Sequence, residues 1–278
     1  MSKVWLTTGS SRGLGRELAE AVPAAGHRLV ATARRPEVLH DLVARYGGRV
    51  RAVALDVTDA AAARAAVRTA VEEFGRLDVV VNNAGYGVVS AIEETSEEDF
   101  RAQIETNLFG TVNVTKAALP VLRAQRSGHI IQVSSLGGRV AVSPGIGAYQ
   151  TAKFAVTGFS ECLSLEVRPF GVKVTIVEPG AMRTDWIAGS VSGARATENY
   201  RQTVGEMIGF FAAYAGNEGG DPARVARAIV GLADAEEPPL RLLLGSDAVE
   251  IAEQASSARA AEAEKWAAVS RSVDFPVH

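Results

Sequence analysis

The sequence predicts a doubly wound α/β fold, with about seven parallel strands flanked by helices, on three observations. Short apolar runs recur along the chain, each followed by a segment of helical periodicity, the pattern of parallel strands joined by crossover helices. The middles of these runs are apolar at both alternating positions, as expected of strands covered on both faces. The first run ends in a glycine-rich turn that opens a helix. At 278 residues the chain is long enough to bury a core without a disulfide or a structural metal.

The elements follow in order. Val4–Thr8 is the first strand, and Glu17 through Ala25 reads as a helix closed by Gly26. Arg28–Ala33 is the second strand, followed by a helix over Pro36–Tyr46 and a stop at Gly47-Gly48. Val50–Leu55 is the third strand. An alanine-rich helix over Asp59–Phe74 is capped by Thr58 or Asp59 and stopped by Gly75. Asp78–Val81 is the fourth strand. Ser96 starts a helix with Glu98 and Asp99 in its first turn, where the helix dipole favours acids. A further helix runs from about Thr111 to Gln125, and His129–Val133 is the fifth strand.

A long helix over about Ala148–Val167 carries Ala152, Val156, Phe159, Leu163 and Val167 on one face. Cys162, the only cysteine, lies in this helix and is expected to pack. Val172–Val177 is the sixth strand. Asp221-Pro222 supplies a cap and a proline at the first helical position for a helix to about Leu232, and Leu240–Leu244 is the seventh strand. Residues 185–220, rich in Trp186, Ile187, Met207, Phe210, Phe211 and Tyr214, break the alternation and read as a lid. The organisation expected is one nucleotide-binding domain over 1–278, with that lid and a C-terminal helical extension over about 247–278.

Composition narrows the function classes. With 47% hydrophobic and 22% charged residues, a disordered or collagen-like chain is excluded. The 29 basic and 32 acidic residues give a formal charge of -3, which argues against a duplex-DNA binder. A single cysteine rules out an intrachain disulfide and fits a reducing compartment. The four histidines, His27, His40, His129 and His278, show no metal-ligand spacing, so no metal is expected. No apolar run is long enough to span a bilayer, and the N-terminal one is too short for a signal-peptide core; a cytoplasmic protein without a membrane partner is expected.

The first turn reads Thr8-Gly9-Ser10-Ser11-Arg12-Gly13-Leu14-Gly15. Glycines permit a sharp turn and a close approach to phosphate, and the following helix offers unpaired N–H groups and a positive dipole end. Glycine clusters also make plain turns; the position between strand and helix favours phosphate binding here. An acid at the end of the second strand would accept from the ribose 2′-hydroxyl of NAD, whereas a base accommodates the 2′-phosphate of NADP. This chain has Thr32-Ala33-Arg34-Arg35 and no acid, with Arg12 a further cation in the turn. Arginine suits a phosphate through its fork of donors. NADP(H) is therefore expected ahead of NAD(H), the bland alternative being solvated arginines.

The ordered set Thr8-Gly9-x-x-x-Gly13-x-Gly15, Asn82-Asn83-Ala84-Gly85, Tyr149-Gln150-Thr151-Ala152-Lys153 and Pro179-Gly180 closely resembles the short-chain dehydrogenase/reductase superfamily, in its single-domain branch with a Rossmann fold. The resemblance covers roughly Lys3 to Leu244. The stretch Glu178–Ser190 and Leu244-Gly245-Ser246-Asp247 are similar to the subgroup of 17β-hydroxysteroid and retinol-type dehydrogenases. The resemblance implies that Gly9, Ser11, Arg12, Gly13, Leu14, Gly15 and Arg34 hold the phosphates of the cofactor. It implies that Asp56 and Val57 contact the adenine, and that Asn83, Ala84 and Gly85 lie along the cofactor and steady the sheet. Pro179, Gly180 and Thr184 would hold the nicotinamide carboxamide. Asn107, Ser135, Tyr149 and Lys153 would form the catalytic tetrad, with Tyr149 and Lys153 also contacting the cofactor and Lys153 hydrogen-bonding its nicotinamide ribose. Helices around 111–125 and 148–167 would pair copies into a homodimer or homotetramer.

Tyr149 and Lys153 are four apart on one helix face. A phenol is a weak base at neutral pH, and a nearby ammonium is expected to lower its pKa. Tyr149 then serves as general acid for a carbonyl or general base for an alcohol. Ser135 polarises the carbonyl, while Ser134 hydrogen-bonds backbone. The interval from Ser135 to Tyr149 is one residue longer than the resemblance implies; the position at the usual interval is Leu136, which has no hydroxyl. Asn107 would hold a water linking Lys153 to solvent, or be an ordinary polar helix residue. The expected activity is hydride transfer between NADP(H) and a small-molecule carbonyl or alcohol, bulky and apolar where the lid's apolar residues line the cleft, the alternative being that they only pack the lid or an oligomer contact. The alternatives are a non-catalytic NADP-binding regulator on the same fold, and a sugar-nucleotide epimerase or dehydratase. The latter lacks its larger C-terminal domain and its Gly-x-x-Gly-x-x-Gly turn here.

Overall fold

The computed structural model describes residues 2–275; the last three residues of the expected C-terminal extension, His278 among them, lie outside the described residues. Seven strands form one parallel sheet: β1 (Val4–Thr7), β2 (Arg28–Ala33), β3 (Val50–Ala54), β4 (Val79–Asn82), β5 (Gly128–Val133), β6 (Val172–Pro179) and β7 (Arg241–Leu244). Their order is β3-β2-β1-β4-β5-β6-β7, with Trp5 paired to Leu29 on one side and to Val79 on the other. The order reverses between β1 and β4, and ligands of such sheets bind outside the carboxyl ends of the strands at that point.

Side chains alternate across the sheet, so each strand feeds two cores. On one face Trp5, Leu29, Val79 and Ile131 pack against α1 (Gly13–Ala24), α2 (His40–Tyr46) and α9 (Pro222–Leu232). On the other, Val4, Leu6, Val80 and Ile130 pack against α3 (Ala60–Phe74), α5 (Gly110–Gln125) and α6 (Gly147–Val167). The caps follow the sequence: Asp59 accepts from Ala61 and Ala62 at the start of α3, and Asp221 from Ala223 and Arg224 at the start of α9.

Four expectations change. α1 starts at Gly13 rather than Glu17, because the glycine turn itself supplies the first helical turn. The segment Pro36–Leu39 is a 3-10 turn ahead of α2. α4 (Glu97–Ile104) runs into α5 through a π-helical turn over Glu105–Phe109, so the two expected helices are continuous. Cys162 is exposed, one position off the buried stripe of α6.

The lid segment contains α7 (Trp186–Val191) and α8 (Glu206–Tyr214). Its two ends meet where Met182 bridges to Gly220, and Arg183 donates to the carbonyl of the buried Glu218. α10 (Ser246–Arg271) buries only Ala248 and Ala252, against Leu136 and Val140. No helix among the described residues is long and apolar enough to cross a membrane.

Candidate active site

The glycine turn lies at the switch point. Gly9 adopts φ +69°, a region costly for any residue with a side chain, and a Cβ there would lie 2.9 Å from the Ala84 Cα. Asn83 ties β4 to this turn: its Nδ2 donates to the Thr8 carbonyl at 2.9 Å, while the backbone N–H groups of Asn83 and Ala84 donate to the Thr8 hydroxyl. The sheet itself is steadied by the neighbouring Asn82, which donates to Thr115 and Gln132.

At the start of α1, Arg12 is the N-cap and no side chain caps the helix, and no acid stands in its first turn. The first N–H groups of a helix need acceptors, and a phosphate at this positive end supplies them. Arg12, Arg34 and Arg35 are exposed, and none has an ion-pair partner among the described residues, whereas Arg16 beside them is held by Glu20 and Asp41. Asp56 is the residue expected at the adenine end. Its carboxyl is held below the ordinary range by the Thr58 backbone N–H at 3.0 Å, the Thr58 hydroxyl at 2.8 Å and the charge of Arg34. Val57 accepts through its carbonyl from Asn113. These features fit a dinucleotide with a 2′-phosphate.

Beyond β6, Gly180 donates to the Leu244 carbonyl at 2.9 Å, and Asp247 accepts from the Ala181 N–H at 2.8 Å. This fixes Pro179-Gly180 and carries Thr184 over the glycine turn, where its methyl would lie 3.6 Å from a Cβ on Gly13.

The four tetrad residues converge between these two segments. Ser135 follows β5 by two residues and accepts from the Gly137 N–H at 3.0 Å, which leaves its hydroxyl hydrogen free to donate. Ser134 points the other way, within hydrogen-bond reach of the Lys153 carbonyl and the Thr157 hydroxyl on α6. Tyr149 and Lys153 share the first turns of α6, with the Lys153 Nζ 5.7 Å from the Tyr149 ring centroid. Asn107 sits in the π-helical turn and is fully buried. Its Nδ2 donates to the carbonyls of Tyr86 and Gln103, and its Oδ1 accepts from the Tyr86 N–H at 2.9 Å. A Cβ on Gly85 would lie 3.6 Å from the Lys153 Nζ, so the Gly85-Tyr86 strip runs between Asn107 and the lysine. Such π turns recur at functional sites because they re-aim side chains.

The electrostatics correct one expectation. Burial pushes the Tyr149 phenol up to about 12, with Ser135 pulling it partly back, and burial pushes the Lys153 ammonium down to about 8. The Lys153 ammonium donates to the Val133 carbonyl at 2.7 Å and keeps its charge. Desolvation, which disfavours either charged form, outweighs the attraction.

The sequence reading missed the wall of the site. Trp186 packs against Tyr149, ring centroids 4.8 Å apart at 55°. Gly87 makes room for it: a Cβ there would come 2.7 Å from the Trp186 Cζ2. Tyr149 also borders a small apolar cluster of Val89, Ile146 and Val204 with Val191, Ile208 and Phe211 of the lid. The signal for this cluster was present in the apolar residues of the lid, but not its target.

Comparison with known proteins agrees with this geometry. The family profile described as short chain dehydrogenase matches residues 3–194. An oxidoreductase of Botryotinia fuckeliana is 50% identical over 267 residues, 96% of this chain and 97% of that protein. A 3-ketodihydrosphingosine reductase of Bacteroides thetaiotaomicron is 36% identical, covering 87% of this chain and 88% of that one. Among solved structures, a short-chain dehydrogenase from Streptomyces avermitilis superposes with a TM-score of 0.90 at 41% identity, over 99% of this chain and 100% of that one. An alcohol dehydrogenase from Thermococcus sibiricus complexed with 5-hydroxy-NADP gives 0.71 at 28% identity, over 88% and 96%.

Proposed function

The chain belongs to the short-chain dehydrogenase family of oxidoreductases, and we propose that it transfers a hydride between NADP(H) and a bulky, apolar carbonyl or alcohol, with Tyr149 as general acid and base. The observation that carries the reading is the convergence of Ser135, Tyr149, Lys153 and Asn107 beside an uncapped helix N-terminus flanked by the unpaired Arg12 and Arg34. When bound, the nicotinamide supplies the hydride.

The protein's own residues do the rest. Ser135 donates to the carbonyl oxygen as negative charge grows on it. Tyr149 delivers its proton to that oxygen when a carbonyl is reduced, and as phenolate takes the proton from the alcohol in the oxidising direction. Lys153, anchored on the Val133 carbonyl, supplies positive charge beside the phenolate left behind. Asn107 holds the Gly85-Tyr86 strip against the lysine. Arg34 and Arg12 would hold the 2′-phosphate, Asp56 and Val57 would hold the adenine, and Pro179, Gly180 and Thr184 would hold the carboxamide.

The substrate class rests on the apolar residues packed around Tyr149 and on Ile92 and Phe210, which are large, apolar and exposed. A relative named for reducing 3-ketodihydrosphingosine, a long-chain ketone, supports it. One domain with residues 185–220 as its lid, a homodimer or homotetramer, and a cytoplasmic location complete the proposal. The test is a fluorescence titration with NADPH and, separately, NADH, followed by a panel of long-chain and cyclic ketones under NADPH oxidation. Tighter binding of NADPH and consumption of an apolar ketone support the reading; binding of neither cofactor removes it.

A further inference from the structure

Ser135 is followed by a short 3-10 turn, Leu136–Gly138, closed by the Gly138 N–H donating to the Ser135 carbonyl at 2.9 Å and the Arg139 N–H donating to Leu136 at 2.9 Å. The turn therefore hands the orientation of Ser135 directly to Arg139. The Arg139 guanidinium converges on one oxygen of Glu178, with Nε at 2.8 Å and Nη2 at 2.6 Å. The other oxygen of Glu178 receives Arg241 Nη1 at 3.0 Å, and Arg241 continues to Glu161 on α6 at 2.7 Å. Glu178 is fully buried and immediately precedes Pro179.

A buried ion pair contributes little net stability compared with apolar residues of the same volume. A fold that only needed packing here would be served by an apolar residue. The same turn is pressed from its other side by α10, where Leu136 and Val140 meet Ala248 and Ala252 and Arg259 donates to the Arg139 carbonyl at 2.9 Å.

We propose that Arg139, through its ion pair with the buried Glu178, is a positioning residue that sets the Ser135 hydroxyl against Tyr149. The inference rests on Ser135 being the group that acts on Tyr149 and on the substrate oxygen.

The test compares Ser135→Ala, Arg139→Met and the double variant in protein labelled with 3-fluorotyrosine, the Tyr149 fluorine resonance being assigned with Tyr149→Phe. Ser135→Ala is expected to move that resonance, Arg139→Met to move it in the same direction, and the double variant to move it no further than Ser135→Ala alone. In parallel, NADPH-dependent reduction of phenanthrenequinone should show kcat lowered about 10-fold to 100-fold by Arg139→Met, as a misplacement of about 1 Å does. NADPH affinity should be unchanged. In the Ser135→Ala background the added loss should be within about 2-fold, as coupled positions require. Should Arg139→Met fail to fold, Arg139→Lys, which keeps a charge opposite Glu178 without the fixed guanidinium geometry, carries the same comparison. An unmoved resonance in the Arg139 variant, additive effects in the double variant, or a matching loss of NADPH affinity overturns the inference. A Tyr149 resonance insensitive to Ser135→Ala refutes the underlying reading of Ser135 before Arg139 is touched.

Discussion

Replacing Lys153 by Met should raise the stability of the protein while destroying its activity. Lys153 is 5% exposed, and burial has brought its ammonium from 10.5 down to about 8. That drop corresponds to roughly 3 kcal/mol of penalty for carrying the charge inside the fold. At pH 7 both the folded and the unfolded chains hold the proton, so the penalty is present in full. As pH rises from about 8 to 10.5, the folded protein releases this proton before the unfolded one does, and stability rises through the window. Methionine has a similar volume and no charge; losing the charge-assisted bond to the buried Val133 carbonyl costs about 1.5–3 kcal/mol in return. The net expectation for Lys153→Met at pH 7 is a gain of about 1 kcal/mol. At about 2–4 °C per kcal/mol for a chain of this size, the melting temperature rises by roughly 2–4 °C. The assay is thermal melting of the cofactor-free protein from pH 7 to 10.5, wild type against variant, so that all other titrations cancel. The advantage of the variant should shrink across the window. A variant less stable than the wild type at pH 7, or an advantage independent of pH, would refute the argument from burial.

Three further outcomes are expected. Arg34→Glu should lower the ratio of NADPH to NADH affinity about 10-fold to 100-fold, the worth of about 1.5–3 kcal/mol for a charge-assisted hydrogen bond, read by fluorescence titration; an unchanged ratio would show Arg34 to be plain surface. Gly9→Ala should cost about 1–2 kcal/mol from the left-handed backbone alone and weaken NADPH binding, checked by melting and titration. His129, buried against Thr175 and brought down to about 4 by burial first and then by Lys173 and Lys3, stays neutral in the fold. Its contribution is present above pH 6.5 and is lost as pH falls toward 4, by roughly 3 kcal/mol. His129→Asn should flatten that acid limb in urea titrations.

The strands were legible because each carries apolar residues on both faces, and β2 and α9 fall where the pattern ends them. The start of α1 was not, since glycine and leucine at its first positions carry neither the charge nor the periodicity of a helix. The π-helical turn that holds Asn107 has no sequence signature; it shows only as an unbroken passage between two helical patterns. The tetrad was legible as an ordered set of residues, but its electrostatics were not. Spacing placed Lys153 beside Tyr149, while the Val133 carbonyl that takes its ammonium lies on another element. Glu178 reads as an acid ending an apolar strand, and its partners Arg139 and Arg241 stand far along the chain on either side.

The central claim is that Tyr149 protonates a carbonyl that has received a hydride from NADPH. The most direct test incubates the protein with an apolar long-chain ketone and NADPH deuterated at the transferred position, and follows the alcohol by mass spectrometry. The account predicts deuterium on the carbinol carbon with the wild type. With Tyr149→Phe, turnover should fall by about 10²–10⁴-fold, while NADPH binding is retained. Deuterated alcohol formed by Tyr149→Phe at the wild-type rate, or none formed across a ketone panel by wild-type protein that binds NADPH, would contradict it.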